Sequence, residues 1–164
     1  MSIFLRKAIA EDMAEVLEIV NYEILNTTAI WDYDTRTLEQ QIEILKEKEA
    51  KDFPFIVAEK EGKVVGFGTY GTFRHKIGYR FTVEHSVYVH KDYFGHKIGS
   101  LLLNELIAIA KHQKLHTMIG VIDSENKGSI AFHQKLGFEN VGHIKQTGYK
   151  FDRWLDSIFM QILL

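Results

Sequence analysis

The stretch from Thr82 to Ser100 reads TVEHSVYVHKDYFGHKIGS, and the rest of the chain is predicted to be organised around it. Its first eight residues are rich in β-branched and aromatic side chains, which favour a partly buried strand. A loop with Gly95 and Gly99 follows, and a strongly apolar helix is predicted from Ser100 onward. The unpaired N–H groups at the start of a helix favour an anion, so the loop indicates a phosphate or pyrophosphate site. Glycines also serve simple tight turns, and the loop alone leaves both interpretations open.

The remainder of the chain alternates between strands and helices. Met13, Val16, Leu17, Val20 and Ile24 recur at helical spacing and predict a first helix, which follows a short strand. Further strands are predicted at 55–59, 64–70, 116–122, 138–144 and 154–163, and a loop at 148–150. Further helices are predicted at 37–50, with Thr37 as the cap, and at 127–136. This order contains no linker or repeat and indicates one mixed α/β domain over residues 1–164.

The composition excludes several classes of protein. The chain has 164 residues, of which 46% are hydrophobic and 26% charged, as is typical of one globular domain. A formal charge of -2 gives no reason to expect a nucleic-acid partner. No apolar run is long enough to span a membrane and the N-terminus lacks a signal-peptide pattern, so a cytoplasmic protein is expected. Cysteine is absent, which excludes disulfides, a thiolate zinc site and a cysteine nucleophile.

The chain has eight histidines, but their pattern does not predict a metal site. His85 and His90 lie an odd number of residues apart, so a regular strand would point them to opposite faces. No H-E-x-x-H motif occurs. A serine hydrolase is not indicated either, because the sequence contains no G-x-S-x-G motif.

Three blocks of sequence carry a family resemblance. Residues 79–90 read YRFTVEHSVYVH, residues 126–138 read NKGSIAFHQKLGF, and GYK at 148–150 is followed by Trp154 and Asp156. In this order they resemble the GNAT superfamily of N-acetyltransferases, and within it the phosphinothricin and methionine sulfone/sulfoximine acetyltransferase group. The likeness covers essentially the whole chain. It implies a central mixed, mostly antiparallel sheet flanked by helices, with acetyl-CoA at the splay between the fourth and fifth strands.

The resemblance also implies which residues bind acetyl-CoA. The amide-bearing arm would lie along the strand at Val87, Tyr88 and Val89, as an added strand would. Asn126 and Ser129 would contact the far side of the cofactor. The pyrophosphate would bind the N–H groups of the loop and the helix start, namely Gly95, His96, Lys97, Ile98, Gly99 and Ser100.

The pyrophosphate loop departs from the usual family pattern at two positions. Phe94 replaces the usual Arg or Gln, and Lys97 stands where a glycine is normal. The lost glycine matters if that position needs a positive φ or a close backbone approach. A lysine there would place an ammonium group near the phosphates.

Two residues are candidates for the chemistry of acetyl transfer to an amine. Glu84 is expected to position and deprotonate the amine; the alternative is that it only pairs with Arg80 or Lys76. A free α-amine titrates near ~7.7–8.0, so the base need not be strong. His133 stands where many superfamily members have a tyrosine thought to protonate the CoA sulfur, and imidazolium could do the same. A structural histidine is the alternative interpretation.

The acceptor pocket is predicted from aromatic and basic residues. Arg74 and Arg80 would bind a substrate carboxylate, because a guanidinium holds a carboxylate through two hydrogen bonds. Trp31, Phe73 and Tyr79 would line the pocket. The alternatives are a solvated connection for the segment around Arg74 and a lid over the core for Trp31.

These features together predict an acetyl-CoA-dependent N-acetyltransferase that acts on the α-amine of a small amino-acid-like acceptor by direct transfer, without a metal. A homodimer is expected from the group's habit. Two other functions stay open at this point. One is a non-catalytic sensor that binds acyl-CoA, and the other is an acetyltransferase that modifies proteins.

Overall fold

The computed structural model describes residues 2–164, and this range forms seven strands and four α-helices. The strands are β1 (Phe4–Lys7), β2 (Phe55–Lys60), β3 (Lys63–Thr72), β4 (Thr82–Val89), β5 (Thr117–Asp123), β6 (Glu139–Lys150) and β7 (Arg153–Leu163). The helices are α1 (Met13–Asn26), α2 (Leu38–Ala50), α3 (Ile98–His112) and α4 (Lys127–Lys135). No helix within residues 2–164 is both long enough and apolar enough to cross a bilayer.

All seven strands of this range belong to one sheet, in the order β1-β2-β3-β4-β5-β7-β6. Every neighbouring pair is antiparallel except β4 and β5, which run parallel. A parallel pair needs a long crossover connection, and α3 provides it. The predicted mixed, mostly antiparallel sheet flanked by helices is therefore confirmed.

The two parallel strands pair only over their first residues. Their register joins three residue pairs, Thr82 with Thr117, Val83 with Met118, and Glu84 with Ile119. Beyond these pairs β4 continues alongside β3, and β5 continues alongside β7. The two strands therefore separate after Glu84, and we call the opening between them the β4–β5 gap.

Apolar side chains cover both faces of the sheet. On one face α3 buries Leu102, Leu103 and Leu106 completely. Gly66 of β3 makes this close packing possible, because a Cβ there would lie 3.0 Å from the side chain of Ile98. On the other face a second cluster joins α1 and α2 to the sheet. The gap thus opens between two well-packed layers.

The side chains of β4 alternate between these two faces. Val83 and Val87 pack with the α3 cluster, whereas Tyr88 packs against the α1–α2 cluster. The same alternation points His85 towards α3 and α4, and Glu84 towards α1 and α2. Neighbouring residues of one strand therefore serve opposite sides of the gap.

The start of α2 agrees with the predicted cap. The Thr37 hydroxyl accepts a hydrogen bond from the Gln40 N–H at 3.2 Å, and the Gln40 side-chain oxygen accepts one from the Thr37 N–H at 2.9 Å. This reciprocal arrangement is a capping box, which satisfies two backbone donors that the helix leaves free.

One element prediction was wrong. Residues 148–150 do not form a loop, because β6 runs on to Lys150 and pairs with β7 as far as Arg153. The chain reverses instead at Phe151 and Asp152, whose φ values are 52° and 56°. Positive φ at both central residues is typical of the tight turns that join antiparallel strands. Gly148 therefore lies within the strand.

Candidate active site

The edge of β4 that faces the gap carries unpaired backbone groups. The N–H of His90 donates to the Val65 carbonyl at 2.9 Å. This bond shows which residues of β4 direct their backbone groups towards β3. Backbone groups alternate in direction along an antiparallel strand, so Tyr88 bonds to β3 while Val87 and Val89 face the gap. Since β5 has already separated there, these groups are available to a ligand that runs alongside β4.

The N-terminus of α3 lies directly after this edge and is not capped by any side chain. Leu101 is the first helical residue whose N–H bonds back, to the Lys97 carbonyl at 3.1 Å. The N–H groups of the first three helical residues, Ile98, Gly99 and Ser100, therefore have no intrahelical acceptor. His96 turns away from them, since its Nδ1 lies 3.1 Å from the Tyr93 carbonyl oxygen. The helix start is thus suited to an anion.

Lys97 has a left-handed backbone conformation, with φ 61° and ψ 13°. This is the position where the family pattern has a glycine, and the positive φ explains that preference. A lysine with such a φ costs free energy that a glycine does not. The departure from the pattern is therefore a local backbone strain, not a change of fold.

We expect Lys97→Gly to raise the free energy of unfolding by about 1 kcal/mol, because it relieves the left-handed strain. Lys97→Ala is the matched control: it removes the same charge but keeps a Cβ, so it should bring no such gain. Urea unfolding of the three proteins measures the difference. Equal stability of the two variants would contradict the strain argument.

The first turn of α4 lies on the far side of the gap. The Asn126 side-chain oxygen accepts a hydrogen bond from the Ser129 N–H at 3.0 Å and so caps the helix. The Ser129 carbonyl is also occupied, by Nδ1 of His133 at 2.7 Å. Both residues predicted for cofactor binding thus have a structural role, and the Ser129 hydroxyl is only 3.4 Å from the same imidazole nitrogen.

Glu84 is the last residue of β4 that pairs with β5, so its carboxylate stands where the gap begins. The side chain is half-buried. Burial raises the pKa of the Glu84 carboxyl, while Lys48 and Arg74 act in the opposite direction. The predicted alternative of a pair with Arg80 is not formed: that guanidinium lies 4.3 Å from the centre of the Phe81 ring and donates to the Ile77 carbonyl.

The residues predicted to bind the acceptor fall into two groups. Phe73, Arg74, Tyr79 and Arg80 belong to the segment between β3 and β4, where the Phe73 and Tyr79 rings meet edge to face at 5.9 Å. Trp31 instead lies against Gly148 of β6, so close that a Cβ on that glycine would be 2.3 Å from the indole. The sheet order places these groups on opposite sides of the β4–β5 gap.

Lys150 was not predicted as a functional residue, but it holds the Trp31 loop in place. Its ammonium is buried and donates to the carbonyls of Thr27 at 2.7 Å and Ile30 at 2.5 Å. Burial lowers the pKa of Lys150. Lys150 was predicted to lie in a loop. Its role could not be predicted, since its acceptors are backbone groups that are distant in sequence.

His133 is buried against His85, with 3.1 Å between the two Nε2 atoms and the rings stacked at 26°. The Ser129 carbonyl can only accept, so Nδ1 of His133 carries the proton and its Nε2 accepts from His85. Nδ1 of His85 is then a buried acceptor without a protein partner among residues 2–164. Burial lowers the pKa of His133 and, together with His133, that of His85 to about 3.

This arrangement favours the structural interpretation of His133. A neutral imidazole with its proton committed to a carbonyl is a weak proton donor near neutral pH. The role of general acid stays a prediction. The two rings pack directly against Gly120 of β5: a Cβ there would lie 2.8 Å from His85 Nε2 and 3.2 Å from His133 Nε2. They therefore fill the space next to the point where β4 and β5 separate.

The histidine pair predicts an acid-sensitive fold. Below about pH 6.5 the unfolded chain binds protons on both imidazoles, while in the folded chain their lowered pKa values keep them neutral. The contribution of the two neutral imidazoles to the free energy of unfolding is therefore fully present above pH 6.5. It is lost as the pH decreases towards about 3, where the buried His85 itself takes up a proton.

We expect the free energy of unfolding to fall by up to about 1.4 kcal/mol per pH unit for each proton involved. Urea unfolding between about pH 6.5 and 5.5, where exposed carboxylates stay ionised, measures this slope. The variant His112→Gln, which changes an exposed histidine at the end of α3, should keep the slope. A flat profile in the parent chain would contradict neutral, buried imidazoles.

No group of three or more His, Cys, Asp or Glu side chains within residues 2–164 is arranged to hold a metal ion. What the site offers is a strand edge with free backbone groups, an uncapped helix start and a half-buried carboxylate where the strands separate. This set can bind an amide-bearing chain that ends in phosphates and can accept a proton beside it.

Comparison with known proteins identifies the family. An acetyltransferase (GNAT) domain matches residues 5–159. The chain is 42% identical to an L-amino acid N-acyltransferase (MnaT) of Escherichia coli K12, over 98% of this chain and 92% of that protein. It is also 42% identical to an L-methionine sulfoximine/L-methionine sulfone acetyltransferase of Pseudomonas aeruginosa, over 100% and 96%.

A solved structure shows the same fold with a ligand. The phosphinothricin acetyltransferase of Sinorhizobium meliloti, in complex with AcCoA, superposes with a TM-score of 0.96 at 36% identity, over 100% of this chain and 89% of that one. The predicted resemblance is therefore confirmed. The chain belongs to the GNAT acetyltransferase family.

Proposed function

We propose that this acetyl-CoA-dependent N-acetyltransferase acetylates the α-amine of a small amino-acid-like acceptor of the phosphinothricin, methionine sulfone or methionine sulfoximine type. The observation that carries the proposal is the position of Glu84, where β4 and β5 separate. A carboxylate there adjoins a gap whose free strand edge and helix start suit acetyl-CoA. The names of the relatives support both the donor and the class of acceptor.

Acetyl-CoA fits the groups that the gap presents. Val87 and Val89 would pair with the amides of the pantetheine arm, and the N–H groups of Ile98, Gly99 and Ser100 would receive the pyrophosphate. Lys97 would add its charge beside the phosphates. When bound, acetyl-CoA supplies an acetyl group activated as a thioester.

Glu84 would receive the proton of the attacking amine, directly or through water. In direct transfer the acceptor nitrogen bonds to the acetyl carbon and the carbon–sulfur bond breaks, so the amine loses one proton and the departing thiolate needs one. A half-buried carboxylate with a raised pKa is a stronger base than an exposed one. An α-amine that titrates near ~7.7–8.0 needs no more than this.

The acceptor would be held by charge and by aromatic rings. Arg74 and Arg80 are exposed and carry guanidinium groups, which suits the carboxylate of an amino acid. Phe73 and Tyr79 would contact its side chain from one side of the gap. Trp31, fixed by the loop that Lys150 holds, would approach from the other side.

The test is a panel of acceptors. Purified protein is mixed with acetyl-CoA and with methionine sulfone, methionine sulfoximine, phosphinothricin or ordinary amino acids, and thiol release is followed. We expect release with the first three acceptors. No release with any acceptor, while CoA still binds, would overturn the proposal in favour of an acyl-CoA sensor or a protein acceptor.

We further propose that the chain forms a homodimer in the cytoplasm. The hairpin of β6 and β7 exposes Tyr149, Phe151 and Trp154, of which Trp154 is 61% exposed. Leu25 and Tyr33 are also exposed and line the same cavity as Tyr149 and Phe151, so they extend this apolar surface. Large exposed apolar patches are typical of interfaces. Sedimentation equilibrium would test the proposal, and a concentration-independent monomer would contradict it.

A further inference from the structure

Lys48 of α2 directs its ammonium group into the protein instead of towards solvent. The side chain is half-buried, and Nζ donates to the Tyr70 carbonyl at 3.0 Å. Nζ also lies 5.7 Å from the centre of the Phe53 ring. Burial lowers the pKa of Lys48, because an ammonium group loses part of its hydration there. A partly buried lysine is usually retained with a group of opposite charge nearby.

Gly71 of β3 provides the space for this ammonium. A Cβ on Gly71 would lie 2.6 Å from Nζ of Lys48 and 3.9 Å from its Cε. The glycine is buried, and its φ is outside the left-handed region, so backbone conformation does not require a glycine here. Because Gly71 has no side chain, the Lys48 ammonium has room at this position.

The register of the sheet brings Lys48 next to Glu84. Gly71 is the direct cross-strand partner of Glu84. Side chains of such partners point to the same face, with Cβ atoms about 4.5–5.5 Å apart. The ammonium that fills the place of a Gly71 side chain is therefore a neighbour of the Glu84 carboxylate.

The charge of Lys48 also acts on the Glu84 carboxyl. Among the influences on the pKa of Glu84, burial raises it, and Lys48 and Arg74 lower it. Arg74 is exposed and water screens its charge, whereas Lys48 is half-buried and held by the Tyr70 carbonyl. Of the other charged groups nearby, Lys51 lowers and Glu47 raises the pKa of Lys48. The charge of Glu84 in turn raises the pKa of Tyr88, the next residue but three on β4.

We propose that Lys48 is a positioning residue for acetyl transfer, whose ammonium, seated in the space left by Gly71, keeps the half-buried Glu84 carboxylate ionised and oriented towards the amine. This inference rests on the proposed function, in which Glu84 receives the proton. It adds a residue from α2 to the site.

The pH dependence of kcat/KM tests the proposal, since its acid limb reports the ionisation of the base in the free enzyme. Removing a positive neighbour raises the pKa of a carboxylate, so Lys48→Met should move the acid limb to higher pH by about one unit. At alkaline pH its kcat/KM should return towards the parent value, which a merely structural defect would not allow. Lys48→Arg keeps the positive charge, so the acid limb of its pH profile should stay at the position of the parent chain.

Two further variants sharpen the result. Gly71→Ala keeps Lys48 but pushes its ammonium away from Glu84. The acid limb of this variant should therefore shift in the same direction as that of Lys48→Met. Lys46→Met is the matched control, because Lys46 lies on the same helix with 66% of its side chain exposed. Its profile should be that of the parent chain. An unshifted limb in both Lys48→Met and Gly71→Ala would overturn the proposal.

The failure of this proposal can be distinguished from failure of the proposed function. If Glu84→Gln retains the turnover and acid limb of the parent chain, Glu84 is not the base, and the role of Lys48 falls with it. If Glu84→Gln abolishes turnover but the Lys48 variants keep the parent limb, only the role of Lys48 is wrong. NMR titration of the Glu84 carboxyl in the Lys48 variants gives the same answer without turnover.

Discussion

Replacing Glu84 by Gln should lower kcat/KM for acetyl transfer by about 100-fold or more, the usual effect of losing a general base. The amide has nearly the shape of the carboxylate but cannot take up the proton of the amine. Its place where β4 and β5 separate is kept, so the free edge at Val87 and Val89 is unchanged. Acetyl-CoA should therefore bind with a dissociation constant within about twofold of the parent value, because only a transition-state interaction is lost.

Steady-state thiol release and calorimetric titration with acetyl-CoA measure the two effects separately. Glu105→Gln is the matched control, since Glu105 is an exposed carboxylate on α3. It should change neither quantity. Unchanged turnover in Glu84→Gln would remove Glu84 from the mechanism, and weakened acetyl-CoA binding would show that the substitution disturbs the gap itself.

Replacing Gly120 by Ala should destabilise the fold by about 1–3 kcal/mol, the usual cost of overpacking a core. The new methyl group would lie 2.8 Å from His85 Nε2 and 3.2 Å from His133 Nε2. Neither ring can retreat easily, because His133 is bound to the Ser129 carbonyl and both rings meet Phe138 edge to face. The contact between the imidazoles should break as a result.

Urea unfolding measures the loss of stability. Gly142→Ala is the matched control, because Gly142 also lies in a strand and its new Cβ would meet only Phe159 at 3.8 Å, an ordinary contact. It should cost far less than Gly120→Ala. If the two variants were equally stable, the histidine pair would have room to move away from position 120, which would contradict the overpacking argument.

The local elements were predictable because their signals are local. Thr82 to Val89 was predicted as a strand with its observed bounds, and Thr37 as the cap of α2. The lost glycine was expected to matter if position 97 needs a positive φ, and Lys97 has a φ of 61°. In each case the deciding feature lies within a few residues of sequence.

The rest depends on contacts between residues that are distant in the chain. The register that pairs Gly71 with Glu84 cannot be read from either strand alone, so Lys48 looked like one more lysine on the polar side of a helix. Likewise, the partner of His133 Nε2 is His85, which lies far away in sequence and which folding brings next to it. Family resemblance named His133 as a candidate, but only the structure shows what occupies its two nitrogens.

The short register between β4 and β5 has a consequence for how the protein responds to its ligand. The sheet consists of two antiparallel halves, β1-β2-β3-β4 and β5-β7-β6, which are joined by only three residue pairs. A molecule bound along the open edge of β4 would act as a cross-link between two cooperative units. By mass action, a ligand at 100 times its dissociation constant adds about 2.7 kcal/mol to the native state. Amide hydrogens on both sides of the gap should then exchange together and more slowly, as though the two halves had become one unit.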